Sequence, residues 1–225
     1  MSIILGIETS TKICSVAVSD GKKLLAIEEE GGAYSHSEKL TVFIQKVLAK
    51  ANVQLKDLDV IAVSKGPGSY TGLRIGVSVA KGLCYALEKP LIAVDTLQAM
   101  ARNSLLSGNL LCPMIDARRM EVYTALYNRE NKSVTPISAK IIDENSFSEE
   151  LTNNQITFFG DGAEKCMEVL GKSANAKFYD KGFPSAEFIN QIALEKFNQQ
   201  DFEDVAYFEP YYLKDFIGTT PKKLL

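Results

Sequence analysis

IILGIETSTKICSVAVSDGKKLLAIEEE, residues 3–30, is the stretch on which the fold turns. Its apolar runs, Ile3 to Ile7, Ile13 to Ser19 and Lys23 to Glu29, are short and separated by turn formers, and Asp20-Gly21 is a strong hairpin signal between the last two. The chain therefore opens with three strands. Leu40, Phe43, Ile44, Val47, Leu48 and Ala51 then recur at helical spacing behind a capping box, Ser35 with Glu38, which predicts a helix over about 36–52. A buried strand (Val60 to Ser64), the glycine-rich turn Gly66 to Gly72, a helix reaching about Leu87 and a strand from Leu91 to Val94 led by Pro90 come next. Thr96 is placed to cap a further helix to about Leu106.

This order, β-β-β-α-β-α-β, resembles the ribonuclease H-like half of actin, sugar kinases and chaperone ATPases. A weaker copy follows it. Strands are expected at Leu110 to Asp116, Glu121 to Tyr127, Ser138 to Ile142 and Ile156 to Phe159, and helices near Ser146 to Leu151, Ala163 to Leu170 and Ala186 to Gln199. Each first strand ends on an acid, Ile7-Glu8 in one half and Ile115-Asp116 in the other. The resemblance implies an α/β protein of two ribonuclease H-like lobes, of the actin-like ATPase superfamily, around a cleft. With the boundary near Ser104 to Asn109, residues 1–106 form the N-terminal lobe, with partner-binding helices, and residues 107–225 a degenerate C-terminal lobe with an aromatic tail.

Composition narrows the function. At 225 residues and 46% hydrophobic content the chain can bury substantial cores. Its net charge of -3 is wrong for gripping nucleic acid alone through many phosphate contacts. Ile3 to Ile7 lacks a preceding Lys or Arg and stops at Glu8, so it reads as neither signal peptide nor membrane span. Cys14, Cys84, Cys112 and Cys166 are scattered without a C-x-x-C pair, which points to cytoplasmic thiols rather than a disulfide frame or zinc site.

Several blocks together carry a family: IETSTKICSVAVSD at 7–20, HSEKL at 36–40, SKGPGSYTGLRIGVSVAKGL at 64–83, DTLQAMA at 95–101, IDARRMEVYTALY at 115–127 and PYYLK at 210–214. The sequence is similar to the TsaB family. That resemblance implies a non-catalytic subunit that pairs with the catalytic TsaD and the small ATPase TsaE, supporting threonylcarbamoylation of adenosine 37 in tRNA. It implies contact with tRNA only through the complex, a homodimer in isolation, no membrane, and no cofactor of its own, with ATP or ADP possible at the TsaD interface. The alternative is an enzyme of the same superfamily, an ATP-dependent transferase or a metallopeptidase-like protein. TsaD-like proteins hold a metal through two histidines four residues apart on the first helix. Here His36 is the only histidine and position 40 is Leu40, so a two-histidine metal site cannot form.

Some of the remaining motifs admit two readings. GPGSYTGLR lies between a strand and a helix start, where amides favour anions, yet it matches neither a Walker A nor a G-x-G-x-x-G pattern. Its other reading is a tight turn with Ser69 or Thr71 as helix cap. Glu8 and Asp116 occupy the positions where kinases of this superfamily place nucleotide-metal carboxylates, and are the candidate nucleotide contacts. Arg118, Arg119 and Glu121 form a solvated hairpin tip. Tyr207, Phe208, Tyr211, Tyr212 and Phe216, ahead of Pro221-Lys222-Lys223, make either a segment latched over the second domain or a partner-docking strip. In the helix after the GPG loop, Arg74, Ser78, Lys81, Tyr85 and Glu88 crowd into less than a quarter of the circumference at about 100° per residue. Gly72, Gly76 and Ala80 make one small-residue stripe, and Ser78, Gly82 and Ala86 a second. One stripe needs only the home sheet; the other can meet the 36–52 helix or another chain. The candidate partner interface is therefore Phe43, Val47, Arg74, Ser78, Gly82 and Tyr85, on two neighbouring helices.

Overall fold

The computed structural model describes residues 2–32, 36–103 and 106–214. Ser35 of the capping box, Ser104 at the expected boundary, and Phe216 and Pro221-Lys222-Lys223 of the tail lie outside the described residues. The first sheet contains β1 (Ile3–Glu8), β2 (Ile13–Asp20), β3 (Lys23–Gly31), β4 (Val60–Gly66) and β5 (Leu91–Asp95), in the order β3-β2-β1-β4-β5. Helices α1 (His36–Ala51), α2 (Tyr70–Leu87) and α3 (Thr96–Ala101) are interleaved with it. The second sheet contains β6 (Leu110–Asp116), β7 (Glu121–Thr124), β8 (Ser138–Ile141), β9 (Ile156–Phe159) and β10 (Ala176–Tyr179), in the order β10-β9-β6-β7-β8. Its helices are α4 (Ser148–Asn153), α5 (Met167–Leu170) and α6 (Ala186–Asn198).

Read from the other edge, the second sheet repeats the first strand for strand. β6 pairs antiparallel with β7 and parallel with β9, as β1 does with β2 and β4. The copy is complete because of β10, which was not expected: Ala176-Lys177-Phe178-Tyr179 is a four-residue edge strand without alternation strong enough to announce itself. The fold is thus two ribonuclease H-like lobes.

Central strands are buried on both faces, and their alternate residues serve different cores. Leu5 and Ile7 of β1 join Val16, Val18, Ile61 and Val63 under α1 and α2. Ile4 points the other way, with Val60, Ala62, Ile92 and Val94, onto Ile189, Ile192 and Ala193 of α6. That contact corrects the boundary at 106/107. Element order places α6 in the second lobe, whereas its apolar face covers the first sheet. Asn190, buried, fixes it there by donating from Nδ2 to Ser19 Oγ at 2.9 Å and the Ala17 carbonyl at 3.2 Å. In exchange α3 gives Leu97, Met100 and Ala101 to a core with Leu111, Ile115 and Phe159 of the second sheet. It ends at Ala101 rather than 106, as the Arg102 amide turns back to the Ala99 carbonyl. Among the described residues no helix is long and apolar enough to cross a membrane.

Candidate partner-docking face

Helix α2 is two-sided, and glycine sets the difference. Ser69 caps its start, the side-chain oxygen accepting from the Gly72 amide at 3.3 Å. On the inner side Gly72, Gly76 and Ala80 are buried. A Cβ at Gly72 would stand 2.1 Å from the Thr9 carbonyl oxygen, and one at Gly76 would stand 2.2 Å from Thr9 Oγ1. That hydroxyl donates to the Gly72 carbonyl at 2.8 Å, so the β1–β2 turn and the helix interlock through their backbones.

The same turn fills the would-be phosphate cradle. The Ser69 amide donates to the Ser10 carbonyl at 2.6 Å, and a Cβ at Gly68 would meet that oxygen at 2.3 Å. The loop is a backbone joint between β4, β1 and α2. Its amides at Ser69 and Gly72 are committed within the chain.

On the outer side Arg74, Ser78, Gly82, Tyr85 and Ala86 are exposed. Tyr85 is 84% exposed, and a Cβ built at Gly82 meets nothing within 4 Å. Four of the six expected interface residues thus share one open face. Phe43 and Val47 do not. Phe43 is 5% and Val47 0% exposed, on the side of α1 that packs against the first sheet, so both are core residues. Helical spacing identified the apolar stripe of α1, but an apolar stripe turns to the sheet before it turns to a partner.

The segment after α6 borders this face as a strap. Glu203 bridges to Leu91 on the edge strand β5. Lys81 Nζ donates to the Phe208 carbonyl at 2.8 Å and the Ala206 carbonyl at 3.2 Å, and the Tyr211 amide donates to the Lys65 carbonyl at 2.7 Å. Tyr70 and Tyr212 pack with centroids 4.7 Å apart, and Arg74 lies 5.3 Å over the Tyr70 ring. Between helix and strap runs a cavity of about 350 Å³ lined by Tyr70, Arg74, Ser78, Lys81, Phe208 and Tyr212. The tail therefore latches chiefly over the first lobe, not the second, which it reaches through Lys214 paired with Glu121. Sequence reasoning missed Lys81 as the strap's anchor and Tyr70 as its seat; the Tyr70–Arg74 pair at i, i+4 was the available signal.

Each of the two acids at the strand ends caps its own turn, Glu8 Oε1 accepting from the Ser10 amide at 2.6 Å and Asp116 Oδ1 from the Arg118 amide at 2.9 Å. Glu8 is 0% exposed, and its burial, opposed by hydrogen bonds from Ser10 and Ser64, pushes its pKa up to about 7. The reading of Glu8 as a carboxylate at the cleft mouth is corrected accordingly: it is enclosed and half-protonated near neutrality. Asp116 is exposed; burial pulls its pKa up, but Lys165 and the Arg118 amide hold it below its usual value. His36 is buried, its Nε2 2.8 Å from the Thr11 carbonyl. That ring nitrogen must therefore donate. The four cysteines are free and buried, and burial pushes Cys84 and Cys112 up to about 12. Among the described residues no group of three or more His, Cys, Asp or Glu is placed to hold a metal ion.

Comparison with known proteins places this geometry. A family model described as "TsaD: tRNA N6-adenosine threonylcarbamoyltransferase" matches residues 27–215. The chain is 31% identical to the tRNA threonylcarbamoyladenosine biosynthesis protein TsaB of Escherichia coli K12, over 96% of each chain. It is 28% identical to the tRNA N6-adenosine threonylcarbamoyltransferase of Borrelia garinii over 84% of its own length but 54% of the relative's, so it spans about half of that enzyme. Among solved structures it is similar to a Pseudomonas aeruginosa protein described as uncharacterized with similarity to peptidase YEAZ. The TM-score is 0.84 at 25% identity, covering 95% of this chain and all of that one.

Proposed function

The chain belongs to the TsaB family, and from that membership we propose that it is a non-catalytic subunit that binds and stabilises TsaD during threonylcarbamoylation of adenosine 37 in tRNA. The observation that carries this reading is the outer face of α2. Ser78, Gly82 and Ala86 leave its backbone uncovered on one side, while Gly72 and Gly76 lock the other to the home sheet. A partner helix can approach such a face closely, and the cavity beside the strap gives it a place to seat an anchoring side chain. In isolation a second copy of the chain takes the same face, giving a homodimer. TsaE and tRNA join through the assembled complex.

The chemistry belongs to TsaD in this reading. One histidine supplies no pair of imidazoles, and the chain spans about half of the transferase it resembles. ATP or ADP at the joint interface would rest chiefly on partner groups, because Glu8 is enclosed and the Ser69 and Gly72 amides are committed internally.

Gly82→Leu tests the proposal. The new side chain enters open space and improves helix propensity, so the melt should stay within a few degrees of wild type, about 1 kcal/mol or less. Affinity for TsaD, measured by calorimetric titration, should fall at least tenfold, about 1.4 kcal/mol. Sedimentation should show the isolated variant as a monomer. Unchanged TsaD affinity in a well-folded Gly82→Leu protein would put the interface elsewhere.

A further inference from the structure

We propose that the loop joining β6 to β7 is an RNA-backbone contact, in which Arg118 and Arg119 bind phosphodiester oxygens of tRNA once the chain is assembled with its partner; this rests on the reading above. The backbone gives the first reason. Arg118 has φ +73° and Arg119 φ +49°. This left-handed region is unfavourable for a residue with a side chain, and hairpin loops that need it use Asn, Asp or Gly. Two successive arginines are a poor choice for the turn itself. The conformation is nevertheless enforced, by the Arg118 amide on Asp116 Oδ1 at 2.9 Å and the Glu121 amide on the Arg118 carbonyl at 3.1 Å.

Charge gives the second reason. Both side chains are exposed, and among the described residues neither has an ion-pair partner. The nearby carboxylates are engaged elsewhere: Asp116 pairs with Lys165, and Glu121 with Lys214. Lys12, from the turn of the facing lobe, also acts electrostatically on Asp116 and Asp161. Arg118, Arg119, Lys165, Lys214 and Lys12 thus stand against Asp116, Glu121 and Asp161, in a chain whose net charge is -3. Shape selects the ligand class. A small nucleotide needs a concave site. Two guanidiniums on an exposed, hydrogen-bonded turn suit an extended polyanion, whose phosphates arginine grips bidentately. Two such contacts are far too few to hold RNA without a partner.

The test uses the chain in complex with TsaD and a tRNA transcript, with filter binding across a salt series. Replacing both residues (Arg118→Gln, Arg119→Gln) should weaken RNA binding about tenfold near physiological salt and flatten the log-log salt slope by about 1 to 2. A double change to lysine should restore most of the slope. Partner affinity, titrated without RNA, should not move. A third variant, Arg118→Asn with Arg119→Gly, should melt no lower than wild type, because it suits the turn better. Unchanged RNA affinity and slope would overturn the proposal, as would a lowered melt in the third variant, which would make the arginines structural. Loss of TsaD affinity on glutamine substitution would show that the loop docks protein. Failure of the wild-type chain to bind TsaD would instead sink the reading on which the proposal rests.

Discussion

Glu8 is the residue whose chemistry departs furthest from what its position suggests. In the unfolded chain it ionises near 4.5 and in the folded one near 7, burial being the largest cause. Below about pH 4.5 both states carry the proton; between the two values the folded state alone keeps it. The stability it contributes is therefore fully present at low pH, fades as pH rises through that window and is lost above about 7. The change amounts to about 3 kcal/mol. Glu8→Gln should remove this slope and be more stable than wild type at pH 8, as read from urea melts at several pH values. Parallel pH profiles for the two proteins would refute the assignment. The equivalence of Glu8 and Asp116 was legible in the sequence, since both end the first strand of a repeat. Their difference was not: Ser10 and the GPG loop close over one and leave the other open, and that depends on contacts between segments about 60 residues apart.

At the level of elements, the covered and open stripes of helix α2 were legible because their pattern is local. Small residues four apart on two sides, with polar side chains confined to a narrow arc, require one covered stripe and permit one open one. Gly76→Leu should therefore contrast with Gly82→Leu. Its side chain would have to displace Thr9, which is fully buried, at a cost of about 3 kcal/mol or more. The expected fall in melting temperature is roughly 6–12 °C; an unchanged melt would show that the inner stripe has been misassigned. Helix α1 shows the limit of the same reasoning. Phe43 and Val47 repeat at helical spacing whether they face a sheet or a partner, and only the sheet's position decides between them. The strap was half legible. Its aromatics announced a covered surface, but not that Lys81 and Tyr70 would provide it.

For the whole molecule the governing feature is the exchange of α3 and α6 between sheets, which no local pattern could disclose. Ile189 and Ile192 look like the apolar face of any amphipathic helix, and sequence order assigns that helix to the nearest strands. The consequence for stability is direct. A fragment of residues 1–106 lacks the cover for Ile4, Val60, Ala62, Ile92 and Val94, all fully buried in the intact chain. Burial of each larger side chain contributes about 1.5–3 kcal/mol, so the fragment should bind a hydrophobic dye and show no cooperative thermal transition. A sharp melt would mean that the lobe completes itself without α6. The exchange also bears on the chain during its synthesis. The first strands leave the ribosome early, while the helix that shields one of their faces begins at Ala186. At roughly 5–20 residues per second the nascent sheet waits about 5–20 s for it. Through that interval its uncovered face is a target for chaperones and for neighbouring nascent chains, and slowing translation in the second half of the message should increase the aggregated fraction.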